Sequence, residues 1–445
     1  MKILVAGMGK SGFAAADLAL RDGHRVAACD GMTSDRLPAD ISPLVNRGLV
    51  FNGGTESTTL LEGVETLILS PGFPRASALV REALSRGIPV LGEVEWAFRH
   101  ARGRVAAVTG SNGKSTTTSL LGALMSAHLP DVRVGGNLGT PFGALVDGST
   151  DETWFVLELS SFQLESIERF RAHVAVLLNV TPDHMDRYPD FEAYAAAKGR
   201  VFANQAPEDW AVFSAFDAHA AGLAAASPAR LVPFASEGEL PEGAFAGRDR
   251  AVWRRENGDE VLFPMEDLPL RGRHNLENAL AACVAARCAG VPEGGCAAPL
   301  AGFRGLPHRL ERLGEVHGAA VYNDSKATNT DAVLKALTAF DSGVVLLLGG
   351  KDKGADWASL RDEVRRRCKA VVTFGAAGPK AAEAMRGTVP VRLCPTLREA
   401  TPVALSMAGP GDSVVLSPAC ASFDEFENYE DRGERFAAWV REAAP

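Results

Sequence analysis

The chain has 445 residues, of which 46% are hydrophobic and 23% are charged, and its formal net charge at pH 7 is −9. This composition is ordinary for a globular protein of about two to four domains, and the acidic balance argues against a general nucleic-acid or anionic-membrane surface. Seven cysteines without a C-x-x-C pair, no signal-peptide pattern and no long apolar run lead us to expect a reduced, cytoplasmic protein without a membrane span.

Short apolar, β-branched runs alternate with helix-length amphipathic segments along the whole chain. In chain order, strands are predicted at Lys2–Ala6, Arg25–Cys29, Thr66–Leu69, Arg104–Thr109, Trp154–Leu159, Val174–Asn179, Ala319–Tyr322, Val344–Leu348, Ala370–Phe374 and Ser413–Leu416. Helices are predicted at Ser11–Arg21, Lys114–Ala127, Phe191–Ala203, Asn275–Ala289 and Asp331–Phe340. The alternation is typical of α/β folds with mainly parallel sheets, because parallel strands need helical crossovers.

Two interruptions of this alternation indicate domain boundaries, one before Arg104 and one in the Gly- and Pro-rich segment Leu300–Glu311. We therefore expect three α/β domains, over residues 1–95, 96–304 and 305–445. Within the middle domain, Asn257-Gly258 stands between two short apolar runs, which predicts a β-hairpin with a type I′ turn.

The first Gly-rich turn, LVAGMGKSG, places Gly7, Gly9 and Gly12 in a G-x-G-x-x-G pattern between a strand and a helix. Asp30 follows at the end of the second strand, where dinucleotide-binding proteins keep a ribose-binding acid. The same turn holds any pyrophosphate on the helix N-terminus, so NAD and another nucleotide are both open, as is tight strand–helix packing. The loop Ser70–Gly72 follows another strand and is predicted to close over the same site.

A second loop, TGSNGKSTTT, lacks the glycine that the general phosphate-loop pattern requires, since Val108 stands in its place. Its physical elements are nevertheless present: a strand ends at Thr109, a Gly-flanked turn exposes N–H groups, and Lys114 enters the next helix. Ser115 and Thr116 offer hydroxyls for a metal ion. The alternative is a helix capped by Ser or Thr after a flexible turn.

The second loop resembles the ATP loop of the Mur ligase family, which includes the peptidoglycan amino-acid ligases and the folylpolyglutamate synthases. Five further stretches match the family in the same order and cover essentially the whole chain: GGNLGTP (Gly135–Pro141), LELSSFQLE (Leu157–Glu165), NVTPDHMDRYPDFEAYAAAK (Asn179–Lys198), GRHNLENALAA (Gly272–Ala282) and GLPHRLE (Gly305–Glu311). NDSKATN (Asn323–Asn329) and LSPACASFDEFENYEDRG (Leu416–Gly433) resemble the members that add D-glutamate.

This resemblance implies an ADP-forming ligase of peptidoglycan precursor synthesis that joins D-glutamate to UDP-N-acetylmuramoyl-L-alanine, with ATP and Mg²⁺. It also implies a Rossmann-like N-terminal domain, a central P-loop-type ATPase domain and a Rossmann-like C-terminal domain. ATP phosphorylates the substrate carboxylate, and the amine then displaces phosphate through a tetrahedral intermediate. Because a carboxylate and a γ-phosphate must meet, the site needs cations and a metal ion.

The resemblance also assigns roles to individual residues. The catalytic group comprises Lys114, Glu158, His184 and Lys198, and the metal ligands are Ser115, Glu158, His184 and Lys198 as a carbamate formed with CO₂. The implied ATP contacts are Gly110, Asn112, Gly113, Lys114, Ser115, Thr116, Asn275, Asn278 and Arg309, with His308 beside the last. The implied contacts to the UDP substrate are Lys10, Ser11, Asp30, Ser70, Gly72, Asn137 and His184. The implied amino-acid contacts are Lys326, Thr328, Lys353, Ser422, Phe423 and Tyr429.

Elementary chemistry is compatible with several of these roles. Glu158 lies at the carboxyl end of one predicted strand and His184 just past another, at the edge where α/β sheets bind ligands. Mg²⁺ prefers oxygen ligands such as Glu158. A carbamate on Lys198 would attract the metal that an ammonium repels. From the residues alone, Lys198 would be taken for a solvated helix charge, and Asn275 and Asn278 are equally helix caps.

Three other functions are open on sequence grounds. An NAD-dependent oxidoreductase explains the first turn but not the second loop, and a nucleotide switch gives no role to Glu158 and Lys198 together. A sister ligase for L-glutamate or another amino acid is the nearest alternative. We further expect a monomer that closes its third domain on its substrates, with Arg304–Pro307 near the hinge.

Overall fold

The computed structural model describes residues 1–185, 187–269, 272–352 and 354–443. The chain divides into two units, the first built from Met1–Pro269 and Arg273–Phe303 and the second chiefly from Arg304–Pro445. The first unit contains two sheets and the second unit contains one. All three sheets are mainly parallel and carry helices, which confirms the α/β fold class.

The first sheet has five parallel strands in the order β3-β2-β1-β4-β5. Its strands are β1 (Lys2–Ala6), β2 (Arg25–Asp30), β3 (Val50–Gly53), β4 (Thr66–Leu69) and β5 (Val90–Gly92). Its helices are α1 (Lys10–Arg21), α2 (Ser42–Val45), α3 (Ala78–Ser85) and α4 (Glu93–Phe98). The chain order reverses between β1 and β4, and ligands bind at the carboxyl ends of the strands at such a point.

The second sheet has the order β14-β13-β12-β11-β10-β9-β6-β8-β7. Its strands are β6 (Arg104–Thr109), β7 (Val132–Gly136), β8 (Trp154–Glu158), β9 (Val174–Leu177), β10 (Trp210–Ser214), β11 (Arg230–Ala235), β12 (Gly243–Ala246), β13 (Arg250–Arg255) and β14 (Gly258–Pro264). Its helices are α5 (Lys114–Ser126), α6 (Phe142–Leu145), α7 (Ser161–Leu164), α8 (Phe191–Gly199), α9 (Ala218–Ala224), α10 (Arg273–Cys288) and α11 (Ala297–Gly302). The helix predicted from Phe191 to Ala203 ends as an α-helix at Gly199 and continues as a 3₁₀ turn over Arg200–Phe202.

The predicted hairpin is present, since β13 and β14 pair antiparallel, but its predicted turn type is wrong. Arg255 pairs with Gly258, so the two turn residues are Glu256 and Asn257. A type I′ turn needs positive φ at both turn residues, and neither has it; the positive φ of +121° lies at Gly258. The glycine therefore follows the turn rather than forming its second position.

Two large hydrophobic clusters and one small one pack on the second sheet. On one face, α5 contacts α10, and Leu120, Leu121 and Leu124 are fully buried. Helix α10 supplies mainly alanines to this cluster, and such small side chains allow two helices and a sheet to approach closely. This packing holds α5, which begins at Lys114. The loop before it, Gly110–Gly113, is called the phosphate-type loop below.

The sheet of the second unit has the order β15-β16-β20-β17-β18-β19, with only the β15–β16 pair antiparallel. Its strands are β15 (Glu311–Val316), β16 (Ala319–Asn323), β17 (Val344–Gly349), β18 (Cys368–Phe374), β19 (Val391–Leu393) and β20 (Ser413–Ala419). Its helices are α12 (Thr330–Leu337), α13 (Arg361–Arg367), α14 (Gly378–Met385), α15 (Leu397–Met407) and α16 (Tyr429–Ala443).

Candidate active site

The loop between β6 and α5 has the backbone geometry of a phosphate cradle. Gly110 and Gly113 have φ angles of +152° and +86°, which side-chain-bearing residues rarely adopt. Asn179, which follows β9, holds the loop through its carbonyl to Ser111 N at 2.9 Å and through Oδ1 to Asn112 N at 2.8 Å. Ser115 and Thr116 lie buried in the first turn of α5.

Two lysines converge on one carbonyl oxygen of this loop. Lys114 Nζ and Lys198 Nζ each lie 2.8 Å from Gly110 O, and Lys114 Nζ also donates to Ser111 O at 2.9 Å. Lys114 belongs to α5 and Lys198 to α8, so two different helices place their ammonium groups at the same point. This concentration of positive charge suits a polyphosphate ligand.

Lys198 is only 2% exposed, so it is not a solvated helix charge. Burial, and then the nearby charge of Lys114, lowers the pKa of the Lys198 ammonium to about 7, while Asp183 and Glu158 oppose this change. The ring of Tyr194 lies 4.6 Å from Lys198 Nζ, and the Tyr194 hydroxyl is 3.0 Å from Ser111 Oγ. A substantial fraction of this amine is therefore neutral near neutral pH, which is the nucleophilic form.

Glu158 ends strand β8 with one carboxylate oxygen left without a partner. Oε1 accepts from Asn137 Nδ2 at 2.7 Å, whereas Oε2 is buried and has no hydrogen-bond partner. Gly136 has a φ of +96°, and a Cβ there would lie 2.3 Å from Glu158 O, so only glycine allows β7 to bring Asn137 this close. A buried, unpartnered carboxylate oxygen is a natural position for a cation.

The N-terminal half of α10 contacts the phosphate-type loop and the start of α5. Asn278 Oδ1 accepts from Thr117 Oγ1 at 3.2 Å, and a Cβ on Gly113 would lie 2.3 Å from the same Oδ1. Asn278 Nδ2 donates to Asn275 Oδ1 at 3.3 Å, so the two asparagines share one face of the helix. The structure thus brings Asn275 and Asn278 to the same loop as Lys114.

His184 lies in the loop between β9 and α8 and has a φ of +56°, which is unusual for histidine. Its ring packs on Phe162 with centroids 4.9 Å apart and on Tyr194 at 6.3 Å, and its side chain is about half exposed. His184 Nε2 is 3.7 Å from Asp183 Oδ2. The histidine is therefore connected to the lysine cluster through Tyr194.

The Gly-rich turn and the Ser70 loop of the first sheet lie side by side, because a Cβ on Gly7 would be 2.9 Å from Ser70 Cβ. Asp30 supports the turn directly, with Oδ2 accepting from Met8 N at 2.7 Å and Oδ1 accepting from Met32 N at 2.9 Å. Around this centre the predicted substrate residues range from half-buried to exposed: Lys10, Ser11, Ser70 and Gly72. They line the edge at which the strand order reverses.

In the second unit, several predicted amino-acid contacts gather between β16 and α16. Lys326 Nζ lies 5.4 Å from the ring centroid of Tyr429, and Lys326 N donates to His308 O at 3.0 Å. His308 is buried with a φ of +62°, and its Nδ1 is 3.0 Å from Asn323 Nδ2. Arg309 and Thr328 are exposed near them.

The remaining predicted contacts of this unit differ in exposure. Ser422 is buried and its carbonyl accepts from Glu425 N, whereas Phe423 is 59% exposed. Lys353 lies outside the described residues. The structure therefore brings Lys326 and Tyr429 together with His308.

Two buried charged residues of the second unit were not predicted. Burial raises the pKa of the Asp324 carboxyl to about 7, and its oxygens accept from Ser417 Oγ at 2.7 Å and Leu310 N at 3.2 Å. Arg432 is fully buried, and burial lowers its pKa to about 10; it donates to Ser325 O and Cys420 O at 2.7 and 3.0 Å. Asp324 stands between Asn323 and Ser325, and Arg432 between Asp431 and Gly433, so the local sequence carries no sign that either charge is buried.

Metal binding would rely on few protein side chains. Across residues 1–185, 187–269, 272–352 and 354–443, no three His, Cys, Asp or Glu side chains gather as a metal site. Mg²⁺ commonly uses one or two carboxylates together with substrate phosphates, which matches Glu158 beside the loop.

Within the same described part of the chain, no helix has the length and apolarity to cross a membrane.

Family models match three consecutive parts of the chain. They are described as the MurD-like N-terminal domain of Mur ligases, over residues 1–92, the Mur ligase middle domain, over 108–286, and the Mur ligase glutamate ligase domain, over 308–420. Together these models span most of the sequence, and the middle model includes both lysines that converge on Gly110.

The chain is 44% identical to the UDP-N-acetylmuramoylalanine–D-glutamate ligase of Acidobacterium capsulatum, covering 98% of this chain and 95% of that protein. It is 41% identical to the protein of the same name from Koribacter versatilis, covering 100% and 98%. MurC from Thermotoga maritima, at 17% identity, has a TM-score of 0.60 with full coverage of both chains, and a MurF from Acinetobacter baumannii, at 19% identity, has a TM-score of 0.62 with 99% and 93% coverage. At such identities these structures support the fold alone. The chain belongs to the Mur ligase family.

Proposed function

We infer that the protein is an ATP-dependent ligase that joins D-glutamate to UDP-N-acetylmuramoyl-L-alanine and forms ADP and phosphate in peptidoglycan precursor synthesis. The observation that carries this inference is the convergence of Lys114 and Lys198 on Gly110 O, within electrostatic reach of Glu158. The relatives from Acidobacterium capsulatum and Koribacter versatilis are named for this activity, and their similarity to this chain covers nearly their full length. An oxidoreductase would need neither the lysine pair nor the buried carboxylate.

The chemistry explains why the site combines cations with one carboxylate. A carboxylate is a poor acyl donor, so ATP first converts it to an acyl phosphate, and the amine of glutamate then attacks and expels phosphate. In the first step two anions meet, and Lys114 on the loop stabilises the charge that develops on the γ-phosphoryl group. Asn112, Gly113, Ser115 and Thr116 would hold the phosphates through the loop and the first turn of α5.

The residues present fit Mg²⁺, because Glu158 Oε2 is buried without a partner and Ser115 lies in the first turn of α5. We propose that these two oxygens hold Mg²⁺, which neutralises phosphate charge when bound. The charge of Glu158 acts on Lys198, and burial lowers the pKa of the Lys198 amine to about 7, so that part of it is neutral near neutral pH. We propose that CO₂ converts it to a carbamate, which would serve as a further oxygen ligand near His184.

The two substrates of the amide bond approach from different parts of the chain. We propose that UDP binds at the first sheet, through Lys10, Ser11, Ser70 and Gly72, with Asp30 fixing the turn, and that Asn137 and His184 meet the muramoyl-alanine end. D-Glutamate, a dicarboxylate, needs cations and hydroxyls, and Lys326 and Ser422 are the described candidates, with Thr328, Phe423 and Tyr429. Asn275, Asn278 and Arg309 would contact ATP.

The discriminating experiment measures phosphate release from ATP with UDP-N-acetylmuramoyl-L-alanine and each of several amino acids. We expect release with D-glutamate and none with L-glutamate or alanine. Release with L-glutamate alone would identify a sister ligase, and ATP hydrolysis independent of both substrates would indicate a nucleotide switch. Since ATP and nucleotide sugars are metabolites of the cytoplasm, we propose a cytoplasmic monomer that binds neither nucleic acid nor membrane, and size-exclusion chromatography with light scattering checks the monomer.

A further inference from the structure

Arg187 lies between the two sheets of the first unit, and none of the roles given above includes it. It follows His184 in the loop between β9 and α8, and its side chain is 27% exposed. The guanidinium carbon lies 3.7 Å from the ring centroid of Phe162, and the same ring also packs on His184, at 4.9 Å, and on Tyr188, at 6.0 Å. Arg187 and His184 thus share one aromatic support.

A carboxylate restrains the guanidinium in this position. Arg187 Nη2 is 3.6 Å from Glu165 Oε2, and the Tyr188 hydroxyl donates to Glu165 Oε1. Glu165 directly follows α7, whose start is fixed by a capping box between Ser160 and Gln163. Stacking on an aromatic face with a charge partner limits the rotamers of an arginine, so the guanidinium is held before any ligand binds.

The same guanidinium reaches the loop of the first sheet. Arg187 Nη1 donates to Pro71 O at 3.4 Å, and Pro71 stands between Ser70 and Gly72. That loop packs against Gly7 of the Gly-rich turn. The Arg187 side chain therefore connects the Ser70–Gly72 loop with the Phe162 ring, on which His184 packs.

We propose that Arg187 is a positioning residue for UDP-N-acetylmuramoyl-L-alanine. It fixes the position of the Ser70–Gly72 loop relative to Phe162 and His184, so that the contacts for both ends of the substrate are in place before it binds. This inference rests on the proposed function. The physical reason is preorganisation, since a loop that is free before binding must be ordered at the expense of affinity. Glu165 and Phe162 act through Arg187 and not on the substrate.

The test is the variant Arg187→Met, which keeps the aliphatic stem and removes the hydrogen bond and the charge. We expect the KM for UDP-N-acetylmuramoyl-L-alanine to rise at least about tenfold, the size expected for a lost charge-assisted hydrogen bond. The KM values for ATP and D-glutamate stay within about twofold, because the loop is not part of those sites. Arg187→Lys restores part of the affinity, since a lysine keeps the charge but not the stacked, planar group.

Arg230→Met is the matched control. Arg230 also stacks on an aromatic ring, Trp210 at 4.9 Å, but it begins β11 and so lies at the amino ends of the strands. We expect unchanged kinetics in this variant. Calorimetric titration of Arg187→Met with UDP-N-acetylmuramoyl-L-alanine alone measures the loss of binding affinity in the absence of catalysis. Thermal melting verifies that each variant is folded.

The outcomes separate this inference from the proposed function. A KM for the UDP substrate unchanged in Arg187→Met, an equal rise for all three substrates, or an equal loss in Arg230→Met would overturn the role of Arg187. If Arg187→Met does not fold, Arg187→Lys decides by the same KM comparison. Absence of phosphate release in the unsubstituted protein would instead overturn the proposed function.

Discussion

At the scale of single residues, Lys198 is the side chain whose chemistry depends most on its surroundings. It is buried beside Lys114 and Tyr194 and contacts Gly110 O, so its amine lies at the centre of the site without reaching solvent. If it functions as a carbamate, its removal deletes an anion that a small carboxylic acid is able to replace.

We therefore expect Lys198→Ala to lose at least about a hundredfold in kcat, as is common when a group that supports a metal or a developing charge is removed. Added acetate or propionate should restore part of the rate. Phosphate release with and without these acids measures both effects. Full activity of the variant without any added acid would exclude the carbamate, and Lys369→Ala, an exposed lysine of the second unit, is the control.

Gly113 offers a second test at this scale. It combines a φ of +86° with a position where a Cβ would lie 2.3 Å from Asn278 Oδ1. Gly113→Ala should raise the KM for ATP by at least about tenfold, because strain and a clash of this kind each cost about 1–3 kcal/mol. Gly290→Ala, with φ +108° and open space around it, is the control for strain without a clash. An unchanged KM for ATP in Gly113→Ala would contradict the loop as the phosphate site.

A site residue was predictable from sequence when it belongs to a recognisable loop. Lys114 and Ser115 follow from the physics of a Gly-flanked turn, whereas Lys198 is indistinguishable from a surface charge in sequence because its helix has little amphipathic contrast. Asp324 and Arg432 were not predicted, since burial of a charge depends on neighbours distant in the chain. The contacts of Arg187 likewise join residues 116 positions apart.

At the scale of elements, helix α4 joins the two sheets of the first unit through buried carboxylates. Glu93 Oε1 accepts from Gly143 N of α6 at 2.6 Å, and Glu95 Oε2 accepts from three consecutive backbone N–H groups, of residues 168–170, at 2.8–3.0 Å. Glu93 Oε2 is buried without a partner. Burial raises the pKa of the Glu93 carboxyl to about 7.

This shift makes stability depend on pH in a defined direction. Between the ordinary carboxyl pKa of 4.5 and about 7, the folded chain retains a proton on Glu93 that the unfolded chain releases. The free energy of unfolding should therefore fall as pH rises through this window, by about 3 kcal/mol at most from this group. Glu93→Gln, which is neutral at every pH, should flatten that fall.

Urea unfolding of the unsubstituted protein and of Glu93→Gln at a series of pH values between 5 and about 8 measures the difference. Glu168→Gln, at a largely exposed carboxylate, is the control and should leave the slope unchanged. Parallel pH profiles for the unsubstituted protein and Glu93→Gln would show that Glu93 is ionised in the folded state.

Elements were predicted more fully than their ends. Strands Lys2–Ala6, Thr66–Leu69 and Arg104–Thr109 have the predicted bounds because continuous apolar runs define buried parallel strands. The hairpin at Asn257 shows the limit, since Asn-Gly favours a type I′ turn while strand pairing places the glycine one position later. Register is decided by cross-strand packing, which a local pattern does not contain.

At the scale of the whole molecule, the proposed substrates divide between the two units. The phosphate-type loop and the UDP residues belong to the first unit, and Lys326 and Tyr429 belong to the second. Under the proposed assignment both units act on the same substrates, and we expect them to close on these, with Arg304–Pro307 near the hinge. The domain bounds at 95 and 305 remain predictions.

Small-angle scattering tests this closure. We expect the radius of gyration to decrease when a non-hydrolysable ATP analogue and UDP-N-acetylmuramoyl-L-alanine are added together, because binding both ligands favours the closed arrangement. Identical scattering profiles with and without the ligands would count against closure. UDP-N-acetylmuramoyl-L-alanine alone is the control, since its proposed contacts all belong to the first unit.

The fold class and the family were predictable from sequence because six motifs in a fixed order carry them, and each motif follows a strand or starts a helix. The contact between Glu158 and Asn137 and the approach of two lysines to one carbonyl were not predictable from sequence. Both depend on how β7, β8 and α8 pack around β6.

The most direct test of the account is to incubate the protein with ATP, Mg²⁺, UDP-N-acetylmuramoyl-L-alanine and D-glutamate and to quantify ADP and the nucleotide-linked product by chromatography and mass spectrometry. We expect equal amounts of ADP and of UDP-N-acetylmuramoyl-L-alanyl-D-glutamate, and neither when any one substrate is omitted. ADP formed without that product, or a product formed only with a different amino acid, would contradict it.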